Sequence, residues 1–533
     1  AAPTEIHTLP PRHALPIFHT DIKPGNPTMK FAPRLTACIP AFMLLTSAGL
    51  AHAESTLRIG LGSDPDMLDP ATARTYYGRF VFSAMCERLV DVDQHLQIVP
   101  GLAKDWAYSD EGKTLTMNLR EGVTFHDGEK FDAQSVKYNI ERYLTLPGSL
   151  RKSELSSIES VEVTAPYTVV FHLKTADAAL LMQLTDRAGT MMAPEATAKG
   201  NVPAHPVCSG PYEFVSRVQQ DRIVLKRLEN DWTKGAYHFD KVVFLPIPDA
   251  SVRLANLRAG DLDITEGIAA SDTATVKADN NLQLASTTGL GYMGLTFNIA
   301  NGTANTDTPL AKDARVRQAL SLAIDRDVLN QVVFQGQYTP ANQAFSPASP
   351  YHADVPVPKR DIEKAKALLA QAGVKTPLTI DFLVANNPTS QQVAQVLQAM
   401  VSEAGINLNL QMTEYATLLD RQQRGEFKMS MSGWSGRPDP DGNIFSFINT
   451  KGGLNDGKYS NAQVDQWLQE ARLTSDVEKR KALYKQVVTQ ENIDDPLVYL
   501  YFEPRIFGMN KKVTGFVPYA DGLIRLQGLA LNK

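Results

Sequence analysis

The sequence has no excess of positive charge: 53 Lys and Arg stand against 58 Asp and Glu among 533 residues, a formal charge of −5. Without a basic field, binding to nucleic acid or to an anionic membrane surface is not expected. Long apolar runs are also lacking. Only one stretch, near the N-terminus, approaches the character of a membrane span, which excludes a polytopic membrane protein. Solenoid-spaced repeats, coiled-coil heptads and, after that stretch, low-complexity segments are missing as well. What remains is ordinary globular text, 43% hydrophobic, 21% charged and 8% aromatic, enough for several cores in two or three domains.

Motifs of covalent chemistry are equally scarce. Gly112-Lys113-Thr114 resembles the end of a phosphate loop, but Ala107 stands where the backbone cradle needs glycine. Gly433-Trp434-Ser435-Gly436 places a serine between glycines without the second glycine at the offset of a nucleophile elbow. His95, His126, His172, His205, His238 and His352 are scattered without metal-ligand spacing, and HExxH does not occur. No cofactor is therefore expected.

From Met29 the text reads MKFAPRLTACIPAFMLLTSAGLAHAES. Lys30 and Arg34 form a basic start, Ala37 to Leu50 a short apolar run, and Ala51-His52-Ala53 a small-x-small cleavage site, the layout of a secretory signal peptide. The run is about 14 residues, short of the roughly 20 that span a bilayer. Residues 29–53 are thus expected to be removed, residues 1–28 to be a disordered upstream extension, and the exported mature chain to begin near Glu54. Loss of Arg12, Lys23, Lys30, Arg34, Glu5 and Asp21 leaves a formal charge of about −7. Cys38 goes with the leader, leaving Cys86 and Cys208. In an oxidising compartment two thiols are disulfide candidates; two separate buried thiols are the other reading.

The mature text alternates strand-like and helix-like segments. LRIGL at 57–61, LTMNL at 115–119 and YTVVFHL at 167–173 read as strands between Gly, Asp and Pro clusters. Asp361 can cap a helix carrying Ile362, Ala365, Leu368, Leu369 and Ala372, ended by Gly373. The strand TIDFLVA follows; a second helix with Val393, Val396, Leu397, Met400 and Val401 then stops at Gly405 before INLNLQM. Parallel pairing of those two strands is expected, and the fold class is α/β.

Five phrases occur in an order that resembles the extracytoplasmic solute-binding proteins of family 5, which serve ATP-driven importers of peptides, nickel and related solutes: LREGVTFHDGEKFDAQSVKYNIER, HPVCSGPYEF, VRLANLRAGDLDI, DARVRQALSLAIDRDVL and GWSGRPDPDGN. The resemblance covers nearly the whole mature chain. It implies a periplasmic binding-protein fold in which two hinged main lobes close on a ligand, with an additional domain of the peptide-binding class. The first lobe maps to 54–88, 206–288 and 507–533, the additional domain to 89–205, and the second lobe to 289–506. It implies a monomer that captures a small peptide or a peptide-like, acidic solute without covalent chemistry and hands it to an ABC permease in the inner membrane. A metal-chelate, nickel or haem receptor of the same family is the alternative, and an exported hydrolase on this scaffold ranks last.

Local readings fit that frame. Gly122 to Gly128 should make a turn anchored by Phe125 and Phe131, and Val316, Ala319, Leu320 and Ala323 should form the buried stripe of a helix over 313–326. Arg315, Arg317 and Asp325 would then lie on its solvated or salt-bridged face. Pro206 and Gly210-Pro211 should hold Cys208 in a stiff turn.

In peptide-binding members of the family, a carboxylate shortly after the Gly-Trp pair takes the ligand's amino terminus. Here Arg437 aligns with it, and a guanidinium there favours a ligand with an extra acidic group. Two alternatives stand beside this: Arg437 pairs with Asp439 or Asp441, or a shift of two places puts Asp439 at the amine. Trp434 is a candidate pocket wall or a core residue. Tyr76, Tyr77 and Arg79 resemble the family's other ligand-lining loop, and Asn386, with Asn387, lies beyond a strand end where α/β proteins bind ligands.

Overall fold

A computed structural model of the protein describes residues 54–228, 232–233, 235–302 and 305–532. The expected extension at 1–28 and signal peptide at 29–53 lie outside the described residues. No described helix is long and apolar enough to cross a membrane.

Strands and helices form where the residue pattern places them. LRIGL lies in the strand Thr56–Leu61, and the other two expected strands form as Thr114–Leu119 and Thr168–Leu173. The Asp361 carboxylate accepts from the Lys364 amide at the start of the helix Ile362–Gln371, satisfying one of the first turn's unpaired donors. Gly373 takes φ of 69° just beyond it, a left-handed conformation that a glycine adopts without a Cβ clash. The second helix, Pro388–Ser402, is capped by Asn387 and buries Val393, Leu397, Met400 and Val401. The strands around it, Leu378–Ala385 and Ile406–Thr413, pair in parallel.

One departure concerns the helix over 313–326. It breaks at Ile324 into Ala314–Ala323 and Arg326–Phe334, because Asp325 caps the second helix through the Val328 amide. Val316, Ala319, Leu320 and Ala323 are buried as a stripe, and Arg315 pairs with Asp313. Arg317 is not on a solvated face. It is 5% exposed, and its guanidinium donates to the carbonyls of Leu310, Asp494 and Asp495. Burial of a cation is tolerated there because those orphan carbonyls receive its protons.

Apart from two two-stranded pairs, the described strands assemble into an eleven-stranded mixed sheet and a separate four-stranded antiparallel sheet. The smaller one orders Ala103–Ser109, Thr114–Leu119, Thr168–Leu173 and Ile158–Ala165 around a core with Phe125, Phe131, Ile140 and Phe171. The large one is held together by two long antiparallel strands, Leu282–Phe297 and Leu497–Asn510. The outer portion of Leu497–Asn510 contributes Phe507 and Met509 to a core with Leu57, Phe80 and Phe244. The opposite portions of both strands contribute Leu295, Phe297, Val498 and Leu500 to a core with Leu320, Phe382 and Leu397. This is the periplasmic binding-protein architecture: two main lobes joined by crossing strands, plus an additional layered unit.

Between Thr288 and Tyr292 the register of the long pair slips. Gly289 and Gly291 lie in that slip because backbone is too near for a side chain: a Cβ on Gly289 would stand 2.2 Å from the Glu503 carbonyl, and one on Gly291 2.2 Å from the Trp434 carbonyl. On one side of this slip the long strands pack Phe507 and Met509, and on the other Leu295, Phe297, Val498 and Leu500.

Candidate functional site

A cavity of about 160 Å³ opens at the crossover. Gly62, Ser63, Tyr76, Tyr77 and Glu266 line it from the lobe containing the first strand; Tyr292, Asn387, Tyr415, Trp434 and Ser435 line it from the other. Glu503 and Arg505 enter from the long strand that connects the two. A smaller cavity of about 50 Å³ shares Tyr76, Tyr292, Tyr415 and Trp434 and extends to Arg74 and Asp456.

Local structure fixes each wall. Thr75 caps the helix Tyr76–Met85 through the Gly78 amide, which presents Tyr76 and Tyr77 on the first turn at the cavity. The Tyr76 hydroxyl donates to the Gly522 carbonyl at 2.5 Å, and burial pushes both phenols well above their usual range, so they remain protonated donors. Trp434 ends the strand Met429–Trp434 and is 8% exposed; its indole N–H donates to Asn443 at 3.1 Å. Its ring therefore serves as both wall and core, packed edge-on against Phe447.

Charge at the site is uneven. Glu266 is 9% exposed and accepts from the Gly62 amide at 2.6 Å. Burial pushes the Glu503 carboxyl up, the Arg505 guanidinium opposes that, and the negative charge of Glu266 adds to it. Arg505 donates to the Ser435 carbonyl at 3.1 Å, and its guanidinium lies 4.8 Å from the Tyr76 ring centroid.

The expected site residues divide. Tyr76, Tyr77 and Trp434 line the cavity. Asn386 is exposed and accepts from Gln391, while its neighbour Asn387 faces the cavity. Arg79 and Arg437 stand behind Ser435, both donating to its hydroxyl oxygen, at 3.1 and 3.2 Å. The partner of Arg437 is neither Asp439 nor Asp441 but Asp186, at 2.5 Å, and Arg79 pairs with the same carboxylate at 3.1 Å. Burial alone would raise the Asp186 carboxyl; the guanidinium groups of Arg437, Arg79 and Arg187 overcome it and hold it well below the usual range. Asp439 is engaged by Arg480 through two contacts of 2.7 and 2.9 Å, and Asp441 by Arg472 at 2.6 and 2.8 Å. Each charged side chain of the Arg437 loop is thus engaged by another side chain of the protein, with Arg437 and Arg79 sharing the one Asp186 carboxylate.

Glu266, Tyr292, Tyr415, Glu503 and Arg505 escaped the sequence reading. One signal was available for the last pair: Glu503-Pro504-Arg505 interrupts an otherwise apolar strand text, YLYFEPRIFG, and charges in the middle of a buried strand need a local reason. Cys86 and Cys208 are joined as a disulfide that ties the end of the Tyr76–Met85 helix to the turn before Tyr212–Val218. Among the described residues no group of three or more His, Cys, Asp or Glu is placed to hold a metal ion.

A two-lobed α/β molecule with a mixed polar and aromatic cavity at its crossover matches a known family profile. Residues 97–456 fit the profile described as bacterial extracellular solute-binding proteins, family 5 Middle. The chain belongs to this family. Among curated relatives of this family 5 protein, the glutathione-binding protein GsiB of Escherichia coli O157:H7 is 29% identical over 492 residues, 88% of this chain and 93% of the relative. GsiB of Salmonella paratyphi A is 28% identical over 486 residues, 87% and 92% respectively. Among solved structures, the binding protein AgaA of A. tumefaciens in complex with agropinic acid superposes with a TM-score of 0.82 at 28% identity, covering 90% of this chain and 99% of that one. A dipeptide-binding protein from Pseudoalteromonas in complex with Met-Leu shares the fold, with a TM-score of 0.83 at 22% identity over 90% of this chain and 100% of that one.

Proposed function

We propose that this family 5 protein is the periplasmic solute-binding component of an ABC importer and encloses a small peptide-like, amino-acid-derived solute in the crossover cavity. One observation carries the reading: a single cavity is walled by phenols and an indole from both lobes and has carboxylate and guanidinium groups on the strand between them. Such a pocket orients a ligand by a few polar contacts and excludes water with aromatic faces, and it has the shape of a receptor rather than of a catalyst. Relatives named for glutathione and a structural neighbour holding agropinic acid support a solute of this class. Contacts to both walls favour the closed arrangement over the open one, so the solute drives closure by its differential affinity.

In this reading residues 54–88, 206–288 and 507–533 form the first lobe, 89–205 the additional domain and 289–506 the second. The closed monomer is what the permease recognises, and no covalent step is assigned. Tyr76, Tyr77 and Trp434 contact the solute, and Arg79, Arg437, Asp439 and Asp441 position the wall behind Ser435.

The test is native mass spectrometry of protein recovered from the periplasm without denaturation, followed by X-ray scattering with and without the released compound. A bound small molecule together with a smaller radius of gyration in its presence is expected. A radius that no bound solute changes would sink the proposal. A bound metal chelate or tetrapyrrole would transfer the protein to the other branch of its family.

A further inference from the structure

Behind Ser435, apart from the crossover cavity, arginines gather around too few acids. A separate cavity of about 10 Å³ is lined there by Arg79, Arg88, Arg187, Arg437 and Arg525, and the acids in its lining are Asp186 and Asp521. None of these arginines lines either cavity at the crossover. Stretches far apart in sequence converge on it, among them the helix Tyr76–Met85, the 185–190 turn, the loop after Met429–Trp434 and residues 521–525.

The ion pairs do not balance. Arg525 takes Asp521 through contacts of 2.9 and 3.0 Å. Arg88 pairs with Asp91, just outside the lining, which also stands 3.8 Å from Arg525. Arg151, whose charge reaches Arg187, takes Glu154 at 2.6 Å. Arg79, Arg187 and Arg437 are left with Asp186, at 3.1, 3.9 and 2.5 Å, and Asp521 lies 4.0 Å from Arg79. The acids of the neighbouring loop are occupied, Asp439 by Arg480 and Asp441 by Arg472, and Glu87 lies outside the lining.

The shortage of negative charge is visible in the groups themselves. Burial pushes the Arg187 guanidinium down to about 10, and Arg151 adds to that shift; burial and then Arg79 hold Arg437 well below its usual range. A guanidinium keeps its proton at neutral pH, so the surplus is met by an anion rather than by deprotonation. Arg187 is 2% exposed, and its Nε, like those of Arg88 and Arg525, has no hydrogen-bond acceptor in the protein. Leaving buried cations without counter-charge is strongly destabilising. Size selects the anion: about 10 Å³ admits one water-sized body, which excludes a phosphate or the end of a larger solute.

We propose that this cavity binds a small monovalent inorganic anion, of the chloride class, among the guanidinium groups of Arg79, Arg187 and Arg437. The anion ties the helix Tyr76–Met85 and the loop after Trp434, which flank the crossover cavity, to the 185–190 turn. It stabilises the folded state by mass action, since the unfolded chain has no such cluster. The inference does not depend on what the crossover cavity binds.

The probe is chloride itself. Whole protein dialysed into sodium gluconate is titrated with sodium chloride at constant ionic strength while thermal unfolding is followed. A saturable rise in melting temperature of about 2 °C is expected, with bromide as effective as chloride. Arg187→Gln should abolish the rise, and Thr185→Asp, which places a carboxylate in the lining, should make melting independent of chloride. Crystals soaked in sodium bromide should show an anomalous peak among the three guanidinium groups, and no peak there overturns the proposal. Identical melting in chloride and gluconate also overturns it, and a bromide peak would then mark an adventitious ion only. A rise that persists undiminished in both variants places the anion elsewhere and overturns the assignment to this cavity. The titration of the parent protein does not depend on how the variants fold.

Discussion

Glu491 is 1% exposed near the end of the helix Val477–Asp494, where it accepts from the Tyr499 hydroxyl at 2.7 Å. Burial pushes its carboxyl up to about 8, and burial pushes the nearby Asp495 carboxyl up to about 7. A carboxyl whose pKa is higher folded than unfolded holds its proton more tightly in the folded state. Its contribution to stability is full below the ordinary value of 4.5 and is lost as pH rises toward 8. Glu491→Gln keeps an acceptor for Tyr499 and removes the charge. Thermal unfolding of this variant should match the parent near about pH 5 and exceed it near about pH 9, by a few kcal/mol at most. Equal slopes of stability against pH in the two proteins would refute the assignment. The same scale shows where residue-level reading stops: Arg437 was visible as an unusual cation after Gly-Trp, but its partner Asp186 lies some 250 positions earlier, and no local pattern pairs them.

Elements were far more legible than partners. Cap residues such as Asp361 and Asn387 and the apolar spacing behind them are local, and local signals survive folding. The helix over 313–326 was misjudged because Asp325 reads as a helix interior residue until Arg326–Phe334 is recognised as a second helix. The crossover site is non-local in the same sense: Gly289 to Tyr292 meets 502–505 only when strands some 200 residues apart pair. The disulfide also acts between distant elements. Cys86 and Cys208 lie 122 positions apart, and all four strands of the four-stranded sheet fall between them, so their bond restricts the unfolded chain over that whole sheet. Replacing both with serine should cost about 2–5 kcal/mol in denaturant unfolding. Solute capture by the surviving folded fraction should be unchanged, since neither sulfur lines the cavity.

Closure of the whole molecule needs bonds that exist only when the two walls meet. Arg74 supplies them: from the turn before Tyr76–Met85 it donates to the Leu419 carbonyl at 3.2 Å and forms an ion pair with Asp456, both on the opposite wall. Ser63 and Glu414 add a long contact of 3.4 Å. Both members of the ion pair are nearly buried, with side chains 12% and 5% exposed, so removing one alone would leave a desolvated charge and confuse opening with unfolding. The informative variant is Arg74→Ala combined with Asp456→Ala. If the pair is a latch, scattering should show a larger radius of gyration in the solute-free protein, and affinity should fall about tenfold through faster dissociation, since a less populated closed state retains its solute for less time. If it contributes only to folding, the melting temperature will drop while the radius and the dissociation rate stay as in the parent. The two readings separate because a latch acts on the equilibrium between open and closed folded states, whereas a purely structural pair acts on the one between folded and unfolded chains.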